Sequence, residues 1–434
     1  MTFSTIDEVD VSVECGRVYE HGWQSWSPTS TYSVTQTSPR PERDWQHLMR
    51  FRPETPAPPR GFQAEGLLVI DPGTGSPARV YAARDARDEV PSIRAELRGD
   101  RLVVEADGPV TVELVEDGIG VALAGFGDAC AARLGADAPR TAPTVWCSWY
   151  HYFEDATEYD VVENLAEIGR LRLPVDVVQI DDGWEAGVGD WLELSGRFSS
   201  LSGIAGRIHD AGRRAGIWVA PFTVGSRSVL AREHPDWLVG AAGQNWGQDL
   251  LGLDLTHPGA RSHLWTVFRA LHEAGFDYFK LDFLYTGALI GSRFEDVTGV
   301  AAYRSGLELI RDAVGARPYL LGCGAPILPS VGLVDAMRVS PDTYHPADTG
   351  DEQRRLRGRT CVEARAWQHG RFWVNDADCL VARPSFTARH EWAEVIERYG
   401  GLRSVSDRIA DLDDWGIETT RRLLGTAPAP TPFP

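Results

Sequence analysis

From Thr144 onward, short apolar runs alternate with amphipathic stretches of helical period, and the alternation persists almost to the end of the chain. Candidate strands lie at 145–150, 175–181, 216–222, 277–283, 318–323, 335–341, 371–375 and 402–405. Between them, Val161, Leu165 and Ile168 mark one apolar stripe behind a Thr157-x-x-Asp160 capping signal. Leu264, Val267, Phe268 and Leu271 mark a second stripe, and Leu307, Ile310 and Val314 a third. Strands that alternate with helices in this way over about 280 residues predict a (β/α)8 TIM barrel of the α/β class. The competing arrangement is an open doubly wound sheet, but no GxGxxG follows any strand. The third strand is followed by a long Gly- and Trp-rich insertion, 223–259, and the stretch from Gly324 to Val334 is too short for a full helix.

Residues 1–137 read differently. Val11-Ser12-Val13-Glu14-Cys15 and Leu102-Val103-Val104-Glu105 have the period of two expected of half-buried strands, and turn residues cluster at 71–75 and 98–100. The expected organisation is a shortened N-terminal β-sandwich domain over 1–137, a (β/α)8 barrel over 138–425, and a disordered, proline-rich tail over 426–434. No run approaches the ~18 apolar residues that would span a bilayer. The N-terminus lacks the basic and apolar regions of a signal peptide, so a cytoplasmic protein is expected. A formal net charge of -19 argues against nucleic acid or an anionic membrane as partner. Cys15, Cys130, Cys147, Cys323, Cys361 and Cys379 show no CxxC spacing, which predicts buried thiols rather than disulfides or a zinc site. The histidines show no ligand spacing such as HExxH, and no metal or organic cofactor is implied.

In such a barrel, reactive groups stand at the C-terminal ends of strands. Asp181, Asp182, Asp282 and Asp342 all occupy such ends. One aspartate there can simply cap a turn, but four in one chain point to chemistry. Side chains two apart share a face, so Lys280 and Asp282 point the same way, as do Arg338, Ser340 and Asp342. Phe279, Leu281, Met337 and Val339 then face the helices. A buried charge must be paired or functional, and a structural Lys280–Asp282 salt bridge is the plain alternative to a functional lysine. Lys280 is also the only lysine among 43 basic residues, all the others being arginine. A coding bias explains the arginines, whereas the one exception suggests a site that tolerates only lysine.

Paired carboxylates flanked by aromatics are the equipment of a retaining glycosidase. Trp23, Trp26, Trp149, Trp184 and Trp218 are candidates to cover the C–H face of a pyranose.

At these motifs the chain resembles the melibiase-type α-galactosidases of glycoside hydrolase family 36. The resemblance rests on His21-Gly-Trp-Gln-Ser-Trp26, Trp146-Cys-Ser-Trp149, Gln179-Ile-Asp-Asp-Gly-Trp184, Gly216-Ile-Trp-Val-Ala-Pro221, Lys280-Leu-Asp282, Gly322-Cys-Gly-Ala-Pro326, Met337-Arg-Val-Ser-Pro-Asp342 and Asn375-Asp-Ala-Asp-Cys379. It implies Asp282 as nucleophile and Asp342 as general acid/base. It makes Asp181 and Asp182 ligands of the O4 and O6 side of galactose, with Lys280 and Arg338 holding other hydroxyls. Trp149 and Trp218 would line the subsite, Trp23 or Trp26 would reach it from the N-terminal region, and Cys323 would pack beneath the sugar. The implied activity is exo-acting removal of terminal α-galactose from a small carbohydrate. An α-N-acetylgalactosaminidase, an α-galactosyl transferase and a non-catalytic sugar-binding protein are the alternatives. Against the family pattern, a shorter N-terminal β-domain and no C-terminal β-domain after the barrel are expected, which leaves a homo-oligomeric state open.

Overall fold

A computed structural model describes residues 2–41, 44–52, 54–343 and 352–433. Its centre is an eight-stranded parallel sheet: Val145–Cys147, Val177–Ile180, Arg214–Val219, Phe276–Leu281, Tyr319–Gly322, Ala336–Arg338, Val374–Asp376 and Ser404–Val405. Every expected barrel strand is present. The second to the seventh each pair with their predecessor in the chain, and the eighth pairs with the first. A parallel bridge between Asp376 and Leu402 joins the seventh strand to the approach of the eighth, which gives a TIM-like α/β fold. The strands are short and buried along nearly their whole length, as expected when helices cover a parallel sheet.

The three apolar stripes become the buried faces of helices Glu158–Leu171, Pro258–Glu273 and Gly299–Val314. At the first of these, Thr157 accepts from the Asp160 N–H while the Asp160 carboxylate accepts from the Thr157 N–H, the reciprocal cap that the sequence suggested. The short link after the fifth strand holds only a one-turn helix, Ile327–Ser330.

The insertion after the third strand folds as an antiparallel sheet of Thr223–Gly225, Leu238–Asn245 and Gln248–Leu253. Asn245 pairs with Gln248, so Trp246 and Gly247 form a two-residue hairpin turn. Both have positive φ, 50° and 63°, the combination a type I′ turn requires. Glycine adopts it freely, whereas Trp246 is held in a region that a bulky side chain rarely visits.

The N-terminal region contributes two antiparallel sheets. One runs in the order Ser30–Ser33, Arg17–Glu20, Leu67–Asp71, Ala78–Ala83, Val110–Val115; the other runs Ser4–Asp10, Arg101–Ala106, Ser92–Arg98, Phe62–Glu65. Val9, Phe62, Leu68, Ile70, Ile93 and Val104 come from both sheets and form one apolar cluster. Alternation along Leu67–Asp71 sends Leu68 and Ile70 into that cluster, and Leu67 and Val69 into the larger core shared with the barrel. The central strand Leu67–Asp71 is therefore covered on both faces. The helix Gly118–Leu134 leads from these sheets to the barrel.

The proline-rich tail departs from expectation. Phe433 stacks on His369 with ring centroids 4.0 Å apart and sits edge-on to Tyr399 at 6.5 Å. The aromatic ring supplies buriable surface that proline composition alone does not suggest, so the tail is placed against the barrel as far as residue 433. Deleting residues 427–434 should lower Tm by about 1–3 °C, since one such ring pair is worth about 1 kcal/mol. An unchanged melting curve would show that the contact contributes nothing.

Candidate active site

Five strand ends and one N-terminal loop converge on a cavity of ≈ 160 Å³ at the C-terminal end of the barrel. Asp181 and Asp182 follow the second strand, Asp282 the fourth, and Asp342 lies four residues after Arg338 of the sixth. All four line the cavity, together with Lys280, Trp149, Trp218 and Trp26.

Lys280 organises the floor. Its Nζ lies 2.9 Å from Asp181 Oδ2 and 3.9 Å from Asp282 Oδ2. The salt bridge anticipated between Lys280 and Asp282 is thus the secondary contact, and Asp181 is the primary partner. Burial pulls the ammonium pKa down, but Asp181 and then Asp282 outweigh it, so the net direction is well above the ordinary lysine value. The same Asp181 oxygen accepts from Gln179 Nε2 at 2.6 Å and from the Cys147 thiol at 3.3 Å, while its other oxygen accepts the Asp182 N–H. With its acceptor sites so occupied, Asp181 fixes the lysine.

Asp282 is held by two donors of different kinds. Oδ1 accepts the Phe283 N–H at 2.8 Å and Oδ2 accepts Trp218 Nε1 at 3.1 Å. Asp342 is set apart from it by environment: its side chain is 41% exposed, against 9% for Asp282. Arg338 Nη1 donates to Asp342 Oδ1 at 3.1 Å.

Asp182 meets a second carboxyl group, Glu185, in the turn that follows. Both are buried, and desolvation together with their mutual interaction raises the Asp182 pKa well above the carboxylate range. Burial raises Glu185 as well. Two carboxyl groups in contact in a dry site cannot both ionise readily, so the site favours a shared proton on the pair. The remaining lone pair on Asp182 accepts Trp246 Nε1 from the hairpin tip at 2.7 Å.

The walls are aromatic. Trp246 lies 6.2 Å from Trp218 and 4.9 Å from Phe283, and Trp26 sits edge-on to Phe283 at 5.0 Å. The loop carrying Trp26 is seated by the fully buried Arg365, which donates to the carbonyls of Gln24 and Ser25 at 2.9 and 2.6 Å. Ser25 and Ala325 also exchange hydrogen bonds, each at 3.0 Å. The indole N–H of Trp26 is buried and has no hydrogen-bond partner among the described residues.

Four of the residues weighed from sequence do not line this cavity. Trp23 lines a separate cavity of ≈ 280 Å³, where the Arg52 guanidinium sits 5.1 Å from its ring, because its loop points Trp26 rather than Trp23 at the barrel mouth. Cys323 is fully buried behind the strand ends. Arg338 is buried beneath Asp342, where its Nη2 pairs with Asp378 at 2.7 Å. Trp184, weighed as a sugar-facing ring, is buried and donates to the Trp218 carbonyl. Of the free cysteines, five are buried and Cys15 is exposed. Glu185, Trp246, Arg365 and Asp378 carried no assignment from sequence. Asp378 stands just past a barrel strand within the quoted Asn375–Cys379 motif, so the strand-end rule could have reached it. Arg365, in the turn just after the helix Glu352–Ala364, left no such signal.

Residues 135–307 match the Melibiase family. An α-galactosidase from Thermus thermophilus, solved with p-nitrophenyl α-D-galactopyranoside, is 26% identical, with a TM-score of 0.79 over 97% of this chain and 91% of that one. The same enzyme solved with stachyose aligns at 28% identity over 94% and 90% of the two chains, again with a TM-score of 0.79. Among curated relatives, α-galactosidase AgaA from Geobacillus stearothermophilus is 27% identical over 194 residues. That alignment covers 41% of this chain and 26% of the relative. A bifunctional α-galactosidase/sucrose kinase from Mediterraneibacter gnavus is 29% identical over 151 residues, 32% of this chain and 15% of its own length. The matched region is thus a minor part of these longer relatives.

Raised carboxyl pKa values have a thermodynamic consequence. A carboxyl group whose pKa is higher in the folded state favours folding less as pH rises from its unfolded value through its folded one. Burial raises Glu20 and Glu65 to about 7, and Asp182 and Glu185 move in the same direction. Buried His21 and His369, lowered to about 3 and about 4, act in the opposite sense only below the unfolded histidine value. Between pH 6.5 and 8, Tm should therefore fall by about 3 °C or more. Glu185→Gln should make that fall smaller; an unchanged slope would mean that Asp182 and Glu185 do not share a proton.

Proposed function

We propose that this chain, whose residues 135–307 match the Melibiase family, is a melibiase-type, exo-acting α-galactosidase of glycoside hydrolase family 36 that hydrolyses terminal α-D-galactosides with net retention. The observation that carries the reading is the unlike treatment of two carboxylates lining one cavity, which is how one site runs both nucleophilic and acid–base steps. Asp282 is buried, aimed by Phe283 N–H and Trp218 Nε1, and lies near the Lys280 ammonium. It suits attack on the anomeric carbon. Asp342 is the more exposed group, placed where a departing oxygen and then a water can reach it.

In the first step an Asp282 oxygen bonds to C1 as the C1–O glycosidic bond breaks, and Asp342 gives its proton to the leaving oxygen. In the second, Asp342 takes a proton from water as that water attacks C1 and the Asp282 ester bond breaks. Lys280 and Asp182 would bind ring hydroxyls, and Trp26 would offer its unpartnered N–H to another. We read the paired antiparallel sheets as the N-terminal β-sandwich domain over 1–137, and 138–425 as the catalytic barrel.

A 2-acetamido sugar would need space beside the loop after Cys323. Gly324, with φ 54°, does not provide it: a Cβ there would lie 2.9 Å from the Trp26 ring. The glycine accommodates tryptophan packing, which favours galactose over N-acetylgalactosamine.

Two sets of variants test the proposal. Asp342→Ala should still form the glycosyl-enzyme from substrates with good leaving groups, and azide should rescue the slow second step, whereas Asp282→Ala should be inert on all. If both respond alike to leaving group and azide, the roles are wrongly assigned; if neither changes turnover, the site is not catalytic. Lys280→Arg should fold normally yet lose at least ~100-fold in kcat/KM, about 2.7 kcal/mol of transition-state stabilisation, because a planar fork cannot replace an ammonium set 2.9 Å from Asp181. A loss below about fivefold on the same kinetic scale would make the lone lysine incidental.

A further inference from the structure

Asp378 lies outside the cavity, 1% exposed, just beyond the seventh barrel strand. Its φ of 90° is one that only glycine adopts without strain, so its surroundings hold it there. The carboxylate is saturated with donors. Oδ1 accepts Arg338 Nη2 at 2.7 Å and the Cys379 N–H at 2.7 Å. Oδ2 accepts the Tyr150 hydroxyl, the Thr343 hydroxyl at 2.7 Å and the Thr343 N–H at 3.0 Å.

Two of these partners bracket Asp342. Thr343 is its chain neighbour, and Arg338 is the side chain that donates to Asp342 Oδ1 at 3.1 Å. We infer that Asp378 is the positioning residue for Asp342, gripping it through Arg338 on one side and Thr343 on the other, so that the carboxyl group of Asp342 is aimed at the leaving oxygen. This rests on the reading of Asp342 as general acid/base. The charged and titratable groups facing Asp378 are Arg338, Asp342, Asp376, Tyr150 and Cys379. Arg338 is thus one guanidinium among three carboxylates, with Asp376 Oδ2 3.6 Å from its Nε. Burial first, then Asp342 and Asp376, raise Asp378 to about 6 against the opposing pull of Arg338, as expected of a carboxylate enclosed for a structural purpose at the edge of a reaction site.

The test uses the full-length protein and two α-galactosides, one with a nitrophenolate leaving group and one with a sugar hydroxyl. Asp378→Asn should lower kcat/KM about 30-fold on the poor leaving group and less than about threefold on the good one, because only the former needs an aligned acid. Added to Asp342→Ala, it should cost less than about twofold more, since it acts through the missing group. Equal losses on both substrates, or an additive loss on the Asp342→Ala background, would overturn the inference. Should Asp378→Asn fail to fold, Thr343→Val removes one of the five bonds and should show the same pattern at about fivefold. A crystal structure of whichever variant folds reads the clamp without any activity. Asp342 displaced from Arg338 supports it, and the pair unmoved at 3.1 Å overturns it. A wild-type protein inactive on both substrates would instead sink the functional reading.

Discussion

Asp181, Asp182, Glu185 and Asp282 are all buried at one end of a single barrel. Taking even one ionised carboxylate out of water costs several kcal/mol unless it is compensated, so the rest of the site is arranged around that problem. Three different solutions are used within a few residues of each other. Lys280 neutralises Asp181 directly and Asp282 at longer range. Burial shifts Asp182 and Glu185 toward their protonated forms. Asp282 takes two N–H donors. The parallel register makes the first solution available, because it sets Lys280 level with Trp218 on one neighbour and Leu321 on the other, at the inner face of the sheet.

The walls of the cavity come from outside the barrel strands. Trp26 belongs to the N-terminal region and Trp246 to the inserted hairpin, and each depends on a backbone feature some distance away. Trp26 reaches the site because Arg365 gathers the carbonyls of its loop and because Gly324 leaves room for its ring. Trp246 reaches Asp182 because a two-residue turn presents it at positive φ. Removing either element would open the cavity to water while leaving the carboxylates in place, which separates the two requirements of the site, charge placement and enclosure.

What could be read from the sequence follows the same division. Strand ends announce themselves through period and position, so Asp181, Asp182, Asp282 and Asp342 were all legible, and composition singled out Lys280. The eight strands were legible for the same reason, as were the three helical stripes. Trp246 was not, because a turn tip has no periodicity and a tryptophan at positive φ defies the usual turn chemistry. Glu185 and Arg365 were not, because their roles arise from contacts across the fold. Trp23 and Trp26 could not be told apart, since they are three residues apart in a loop that neither strand nor helix period describes. The double burial of Leu67–Asp71 was not legible either, because it depends on the barrel that packs against one face of the strand.

The double displacement proposed for Asp282 and Asp342 is reported most directly by the anomer that is released first. Proton NMR of an α-galactoside during the first turnovers, before mutarotation, should show α-galactose. β-Galactose as the first product would mean that water, not Asp282, attacks the anomeric carbon, and would contradict the roles assigned to both residues.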